Sequence, residues 1–269
     1  MDALTDTNIL VALLLTTAVG LSTGFGALIS FFGKSTDKRL ISGALGLSAG
    51  TMIFISFLEL IPEAVDSLST VWDGRLPVAV VMMAFFCGIA MIALIDWLVP
   101  EDENPHEAHS MAELSRPGNH HVKRSGMMLA LAIGIHNFPE GMASFIVALD
   151  GVDVALPVII AIAIHNIPEG MAVSVPIYES TGNRRKAVKY ALISGFAEPV
   201  GAVVGLLFLY PFWTPVVNAV CLAAVAGVMV YIAVDELLPG AEAYGHHHVA
   251  LAGVVLGMMM MAATMTLTA

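Results

Sequence analysis

One short polar sequence occurs twice in the chain: Ile135-His136-Asn137-Phe138-Pro139-Glu140-Gly141-Met142-Ala143 and Ile164-His165-Asn166-Ile167-Pro168-Glu169-Gly170-Met171-Ala172, each followed within two residues by Ser. Both copies lie inside stretches apolar enough for a lipid bilayer, with no Lys or Arg nearby to neutralise the acids. An ionisable group at that depth marks a functional site whose partner has to be named. Two imidazoles, two amides and two carboxylates are the donor set of a divalent metal ion. Helix geometry brings them together, because residues three and four apart share a face. His136 therefore stands over Glu140 and His165 over Glu169, with Asn137 and Asn166 beside the same two acids. Each Glu reaches both its His and its Asn, which offers two adjacent ligand sets bridged by carboxylates. Pro139 and Pro168 lack the amide that would bond Ile135 and Ile164, so a kink is expected, with those carbonyls freed toward a cavity. Gly141 and Gly170 permit close approach of a neighbouring backbone. A pattern serving helix packing alone would use Ser, Thr or Gly and would not repeat His-Asn-x-Pro-Glu-Gly.

The elements that position these residues follow from composition. The 269 residues are 58% hydrophobic and 12% charged, about half the ~25% charge of a soluble domain, and the mean hydropathy is +0.85. Cutting at charge and turn clusters leaves eight apolar segments: 8–32, 39–62, 76–99, 126–149, 155–178, 190–212, 215–239 and 249–268. Each is near the ~20 residues that span ~30 Å of hydrocarbon. The expected fold is all-α: a polytopic membrane protein of eight transmembrane helices forming one domain over 1–269, with a His-containing loop at 100–125. The first segment reads as a span, because its N-terminal flank lacks a positive region and it is too long for a signal h-region. Net charge −11 argues against nucleic acid as a partner. Cys87 and Cys221 fall within spans and are expected to be small buried residues.

Segments four and five cross in opposite directions, joined by a short loop around Asp150-Gly151-Val152-Asp153. Their shared motif is then related by a two-fold axis in the membrane plane. That is an inverted-repeat arrangement, with the site near the bilayer midplane. Ten of the eleven Lys and Arg residues follow odd-numbered segments, and only Arg75 lies on the other side. The positive-inside rule makes those faces cytoplasmic and puts both termini outside. The interior of the spans carries no Lys or Arg, yet it holds Glu59, Glu140, Glu169, Glu198 and the pair Asp235-Glu236. An unpaired Asp at a helix centre costs ~3 kcal/mol, so these acids are protonated, face water, or hold a cation. Glu198 joins the candidates; Glu59 and Asp235-Glu236 could be solvated at helix ends.

His106, His109, His120 and His121 lie in the third loop, and His246, His247 and His248 precede the last segment. Both tracts fall on the cytoplasmic side, either catching arriving metal or serving as solvated loop. The run Met258-Met259-Met260-Met261 reads as lipid-facing filler. No thiol falls in the site, which disfavours copper(I). Imidazole suits zinc and iron, while carboxylate and amide oxygens suit manganese and magnesium.

With His-Asn-x-Pro-Glu-Gly in the fourth and fifth of eight spans, the chain resembles the ZIP (Zrt/Irt-like) metal transporters. Supporting stretches are Ser48 to Met52 with Leu58 to Ala64, Ile193 to Glu198, and Val234 to Pro239. The resemblance implies uptake of divalent zinc and iron, with breadth toward manganese, cobalt and cadmium, through a binuclear midplane site. It implies a first metal held by His136, Glu140, His165 and Glu169, with Met52 as a further candidate. It implies a second metal held by Asn137, Glu140, Asn166, Glu169 and Glu198. His165 and Asn166 stand where some family members have Gln and Asp, one carboxylate fewer. Expected partners are transported Zn2+ and Fe2+, the lipid membrane, and a second copy of the chain in a homodimer; no resident cofactor is expected. The plasma (inner) membrane is the expected location. Two rival readings use the same residues. An intramembrane metalloenzyme would ordinarily need His-Glu-x-x-His with a Glu free as base, whereas here Asn follows each His. A metal-selective channel differs from a carrier only in whether flux saturates.

Overall fold

The computed structural model describes residues 6–31, 37–98, 120–149, 151–209, 212 and 214–268. Among them the apolar stretches form eight rods: α1 (Asp6–Ile29), α2 (Lys38–Ser69), α3 (Leu76–Leu98), α4 (His120–Leu149), α5 (Val152–Thr181), α6 (Arg184–Phe208), α7 (Pro215–Ala243) and α8 (His247–Thr268). Local sequence sets the ends. The side chain of Asp37 caps α2 by accepting from the Arg39 amide at 3.0 Å. Thr214 caps α7 by accepting from the Val217 amide at 3.2 Å, ahead of Pro215. Such caps satisfy amides that the first turn leaves orphaned. Gly182, at φ 64°, ends α5 in the left-handed conformation that glycine adopts without strain, and Asn183 at once caps α6.

Seven rods among the described residues are long and apolar enough to cross a membrane; α4 is not among those seven. The chain is an all-α, multi-pass membrane protein. Several helices run past the limits expected from the apolar segments: α2 continues from 62 to Ser69, and α6 begins at Arg184 rather than at 190. Charge clusters end an apolar run without ending a helix, and Ile61–Ser69 still buries Ala64 and Leu68. Both α4 and α5 remain helical through Pro139 and Pro168. In α6 the helix is interrupted at Phe196, three residues before Pro199, whose ring disfavours helical hydrogen bonding over the preceding turn. Two smaller expectations are corrected. Cys87 is exposed and Cys221 only partly buried, because in a bilayer an apolar side chain needs no protein around it. Met261 is 1% exposed, a core residue, while Met259 faces outward.

The rods pack as two groups. Helices α1, α4, α5 and α6 all touch one another, whereas α8, α2, α7 and α3 lie side by side in that order. The groups meet where α2 and α8 contact α5 and where α7 contacts α4. Close crossings reveal the internal symmetry. Gly20 on α1 and Gly195 on α6 lie so close that a methyl on either would strike the other's carbonyl oxygen. Around that point the contacts come in matched pairs. Gly26 lies against the carbonyl of Ile167, and Gly201 against that of Phe138, the same position of the repeated motif. Gly170 lies against the carbonyl of Thr23, and Gly141 against that of Glu198. In the second group Gly50 of α2 meets α8 as Gly227 of α7 meets α3. Even the π turns correspond: Ser56–Leu60 in α2 and Ala233–Leu237 in α7, each followed two residues later by Pro. Exchanging α1 with α6, α2 with α7, α3 with α8 and α4 with α5 thus superposes the contacts. Exchanged helices cross in opposite directions, which makes this an inverted repeat.

Candidate metal centre

The motif residues are placed by the crossing of α4 and α5. Asn137, His165, Asn166 and Glu198 are fully buried, and Glu140 and Glu169 are 2% and 1% exposed. Glu140 Oε1 lies 2.7 Å from His165 Nε2, so the acid of one motif meets the imidazole of the other across two helices. Asn166 Nδ2 donates to Glu198 Oε1 at 2.5 Å and to the Val19 carbonyl at 3.4 Å. Asn137 Nδ2 donates to the Ser194 carbonyl at 3.3 Å. Each amide is thereby anchored to α1 or α6 and turns its oxygen the other way. The helix α2 closes one side, with Ser48 Oγ donating to the His165 carbonyl at 3.5 Å and Met52 fully buried.

Carboxylates from three helices gather here, since Glu198 lies within electrostatic reach of both Glu140 and Glu169. No Lys or Arg is buried among the described residues. Asn137 Oδ1, Asn166 Oδ1, Glu198 Oε2 and Ser194 Oγ are buried without a hydrogen-bond partner among those residues. Leaving such oxygens unsatisfied costs about 1–3 kcal/mol each, and like charges brought together in a dry interior repel strongly. A cation remedies both at once. The structure thus brings together Asn137, Glu140, His165, Asn166, Glu169 and Glu198. The side chain of His136 lies outside the described residues, as do residues 100–119 of the His-containing loop and the side chains of His120 and His121. Among the described residues no three His, Cys, Asp or Glu converge on a single point; Glu140 engages His165, and Glu198 engages Asn166.

Glu59 and the Asp235-Glu236 pair lie in the π turns of the second helix group, with Glu63 within electrostatic reach of Glu59. Two carbonyls that anchor the motif amides, those of Val19 and Ser194, were not visible from the motif. A signal for them does exist in the sequence. Gly20-x-x-Thr23-x-x-Gly26 has the spacing of Gly195-x-x-Glu198-x-x-Gly201.

An all-α bundle that holds buried carboxylates, amides and imidazole on crossing inverted-repeat helices is the architecture of a membrane transporter with its site between helices. The chain belongs to the ZIP zinc transporter family, whose pattern its residues 98–265 match. It is 51% identical over 267 residues to the zinc transporter ZupT of Akkermansia muciniphila, covering 97% of this chain and 98% of that protein. It is 48% identical over 260 residues to the zinc transporter ZupT of Streptococcus mutans, again covering 97% and 98%. The counterpart from Clostridium perfringens is 46% identical over 275 residues. The family is one of transporters and not of enzymes, which removes the metalloenzyme reading.

Proposed function

We propose that this chain takes up zinc, and with it iron(II), manganese and other divalent cations, into the cytoplasm through a binuclear site near the bilayer midplane. The observation that supports this most is the pairing of Glu140 with His165 and of Glu198 with Asn166, with Glu169 in electrostatic reach of Glu198 and two amide oxygens unsatisfied, and with no Lys or Arg buried among the described residues. In this reading His136, Glu140, His165 and Glu169 hold the first metal, and Asn137, Glu140, Asn166, Glu169 and Glu198 hold the second. Mixed nitrogen and oxygen ligation with bridging carboxylates binds more loosely than a closed structural zinc site, as transport requires. All eight helices form one transmembrane domain, with both termini outside and residues 100–125 as a cytoplasmic loop. Uptake of radioactive zinc into proteoliposomes, with iron(II), manganese and cadmium as competitors, tests the proposal. Saturable uptake inhibited by these ions is expected; absence of uptake refutes the function, and flux that rises without limit makes the protein a channel.

Two further outcomes are expected. Glu198→Gln removes a charge only from the oxygen-rich set, so manganese uptake should fall about tenfold while zinc, retaining the imidazoles, falls about twofold. Equal losses for both metals would show that the two sets are not separable. Replacing His106, His109, His120, His121 and His246 to His248 together with Ala should keep the maximal rate within about twofold, because His-rich tracts of this kind gather metal without forming its path. In the described part of these tracts, His247 Nδ1 pairs with Glu242 Oε1 at 2.8 Å on the exposed surface. Loss of uptake in a normally inserted variant would place these loops on the pathway.

A further inference from the structure

The symmetry that relates α1 to α6 carries Glu198 onto Thr23. Both lie four residues after the carbonyl that accepts from a motif amide: Ser194 takes Asn137, and Val19 takes Asn166. Both lie three residues before a glycine that contacts a motif helix, Gly201 and Gly26 respectively. The Thr23 backbone faces Gly170, next to Glu169, and its Cβ faces Gly195 of α6, so its side chain lies in the seam between those two helices. Thr23 is fully buried, and its hydroxyl has no hydrogen-bond partner among the described residues.

That last property is unusual within this chain. A threonine in a membrane helix ordinarily satisfies its hydroxyl on the carbonyl four residues back. Thr16, Thr17, Thr51, Thr181 and Thr264 all do so, at 2.5 to 3.0 Å. For Thr23 that carbonyl belongs to Val19, which already accepts from Ser22 Oγ at 2.6 Å and from Asn166 Nδ2 at 3.4 Å. Those two donors leave Thr23 without its local acceptor. A buried hydroxyl is thereby left without a partner in the seam beside the motif helix α5, and the Asn137 oxygen on α4 is likewise unsatisfied.

We infer that the Thr23 hydroxyl is a neutral oxygen ligand for the second metal, completing the set that Glu198 contributes from the other side of the two-fold axis, and that this position tunes the preference among metals. The inference rests on the binuclear reading above. A hydroxyl adds an oxygen without adding charge, so it favours manganese and other oxygen-seeking ions more than zinc, which the imidazoles already serve.

The test compares Thr23→Val, which keeps the shape and removes the hydroxyl, with Thr23→Ser, which keeps the hydroxyl. Binding of Mn2+ and Zn2+ to the purified full-length protein is measured by calorimetry, beside uptake in proteoliposomes, with Glu140→Ala in the same series. Expected are a roughly tenfold loss of manganese affinity in Thr23→Val, a zinc change within about twofold, and recovery in Thr23→Ser. Wild-type manganese binding by Thr23→Val overturns the inference. So does an equal loss in Thr23→Val and Thr23→Ser, which would mark a packing effect. Unchanged metal binding in Glu140→Ala would instead bring down the site reading beneath it.

Discussion

Replacing Glu140 or Glu169 with alanine is expected to abolish zinc uptake while leaving the amount of protein in the membrane near wild type. In the proposed binuclear reading each acid reaches both ligand sets, so either substitution removes a bridge and not a single bond. Glu140→Ala also strands His165, whose Nε2 lies 2.7 Å from the lost carboxylate. Loss of a supporting contact around a metal typically costs 10- to 100-fold, so loss of a shared ligand should exceed about 100-fold. Folding should survive, because Glu140 and Glu169 each act on the Glu198 carboxylate with no Lys or Arg buried among the described residues, and removing one relieves that repulsion. Radioactive zinc uptake measured beside quantitative immunoblots of the membrane fraction gives the answer. Normal zinc entry in either variant would mean that the metal does not pass between α4 and α5.

The second large effect is expected from a single methyl group. A Cβ at Gly170 would run into the backbone carbonyl of Thr23, and one at Gly141 into that of Glu198. Neither obstacle is a flexible side chain, so the helices must separate. Overpacking of this kind costs about 1–3 kcal/mol, and the displaced helices are those that hold the ligands. Gly170→Ala and Gly141→Ala should therefore lower the melting temperature in detergent by about 5 °C or more and eliminate transport. Gly134→Ala, two turns earlier on α4, is the matched control. Its new methyl would meet only Ser194, with the Cα at 3.8 Å. That variant should be neutral or slightly stabilised, since alanine favours helix over glycine by up to ~1 kcal/mol. Equal behaviour of Gly134→Ala and Gly170→Ala, in melting and in uptake, would show that the close crossing at Gly170 does not govern the site.

Much of the architecture was legible because a bilayer imposes simple rules on a chain. Long apolar runs have to be helices, and polar residues inside them have to be functional. The repeated motif identified five of the buried polar residues described at the site, Asn137, Glu140, His165, Asn166 and Glu169. The structure added the partners each motif atom chooses. The i, i+4 spacing pairs His136 with Glu140 and His165 with Glu169, yet the observed contact joins Glu140 to His165 across helices. Spacing along a helix gives the face on which a side chain lies and does not give which neighbour faces it. The contribution of α1 was hidden for a related reason. Thr23 looks like any small helix residue until the symmetry sets it opposite Glu198. The repeat that reveals it is carried by glycine spacing and not by shared chemistry. Helix ends were misplaced wherever an amphipathic turn extended an apolar run, as in Ile61–Ser69.

The paired π turns have a consequence best stated in terms of codons. A π turn holds one residue more than the α-helical path needs. In-frame loss of a single codon between Ser56 and Leu60 would leave a smooth helix and no gap. Everything beyond would keep its facing, because the π turn absorbs its extra residue locally. Ala64 and Leu68, both fully buried on the following stretch, would stay turned toward the core. The same holds for Ala233–Leu237 and the buried Ala241 beyond it. The two π turns are therefore the places in α2 and α7 where one codon can be lost without rotating the helix beyond, a loss that elsewhere in a helix turns everything after it by about 100°.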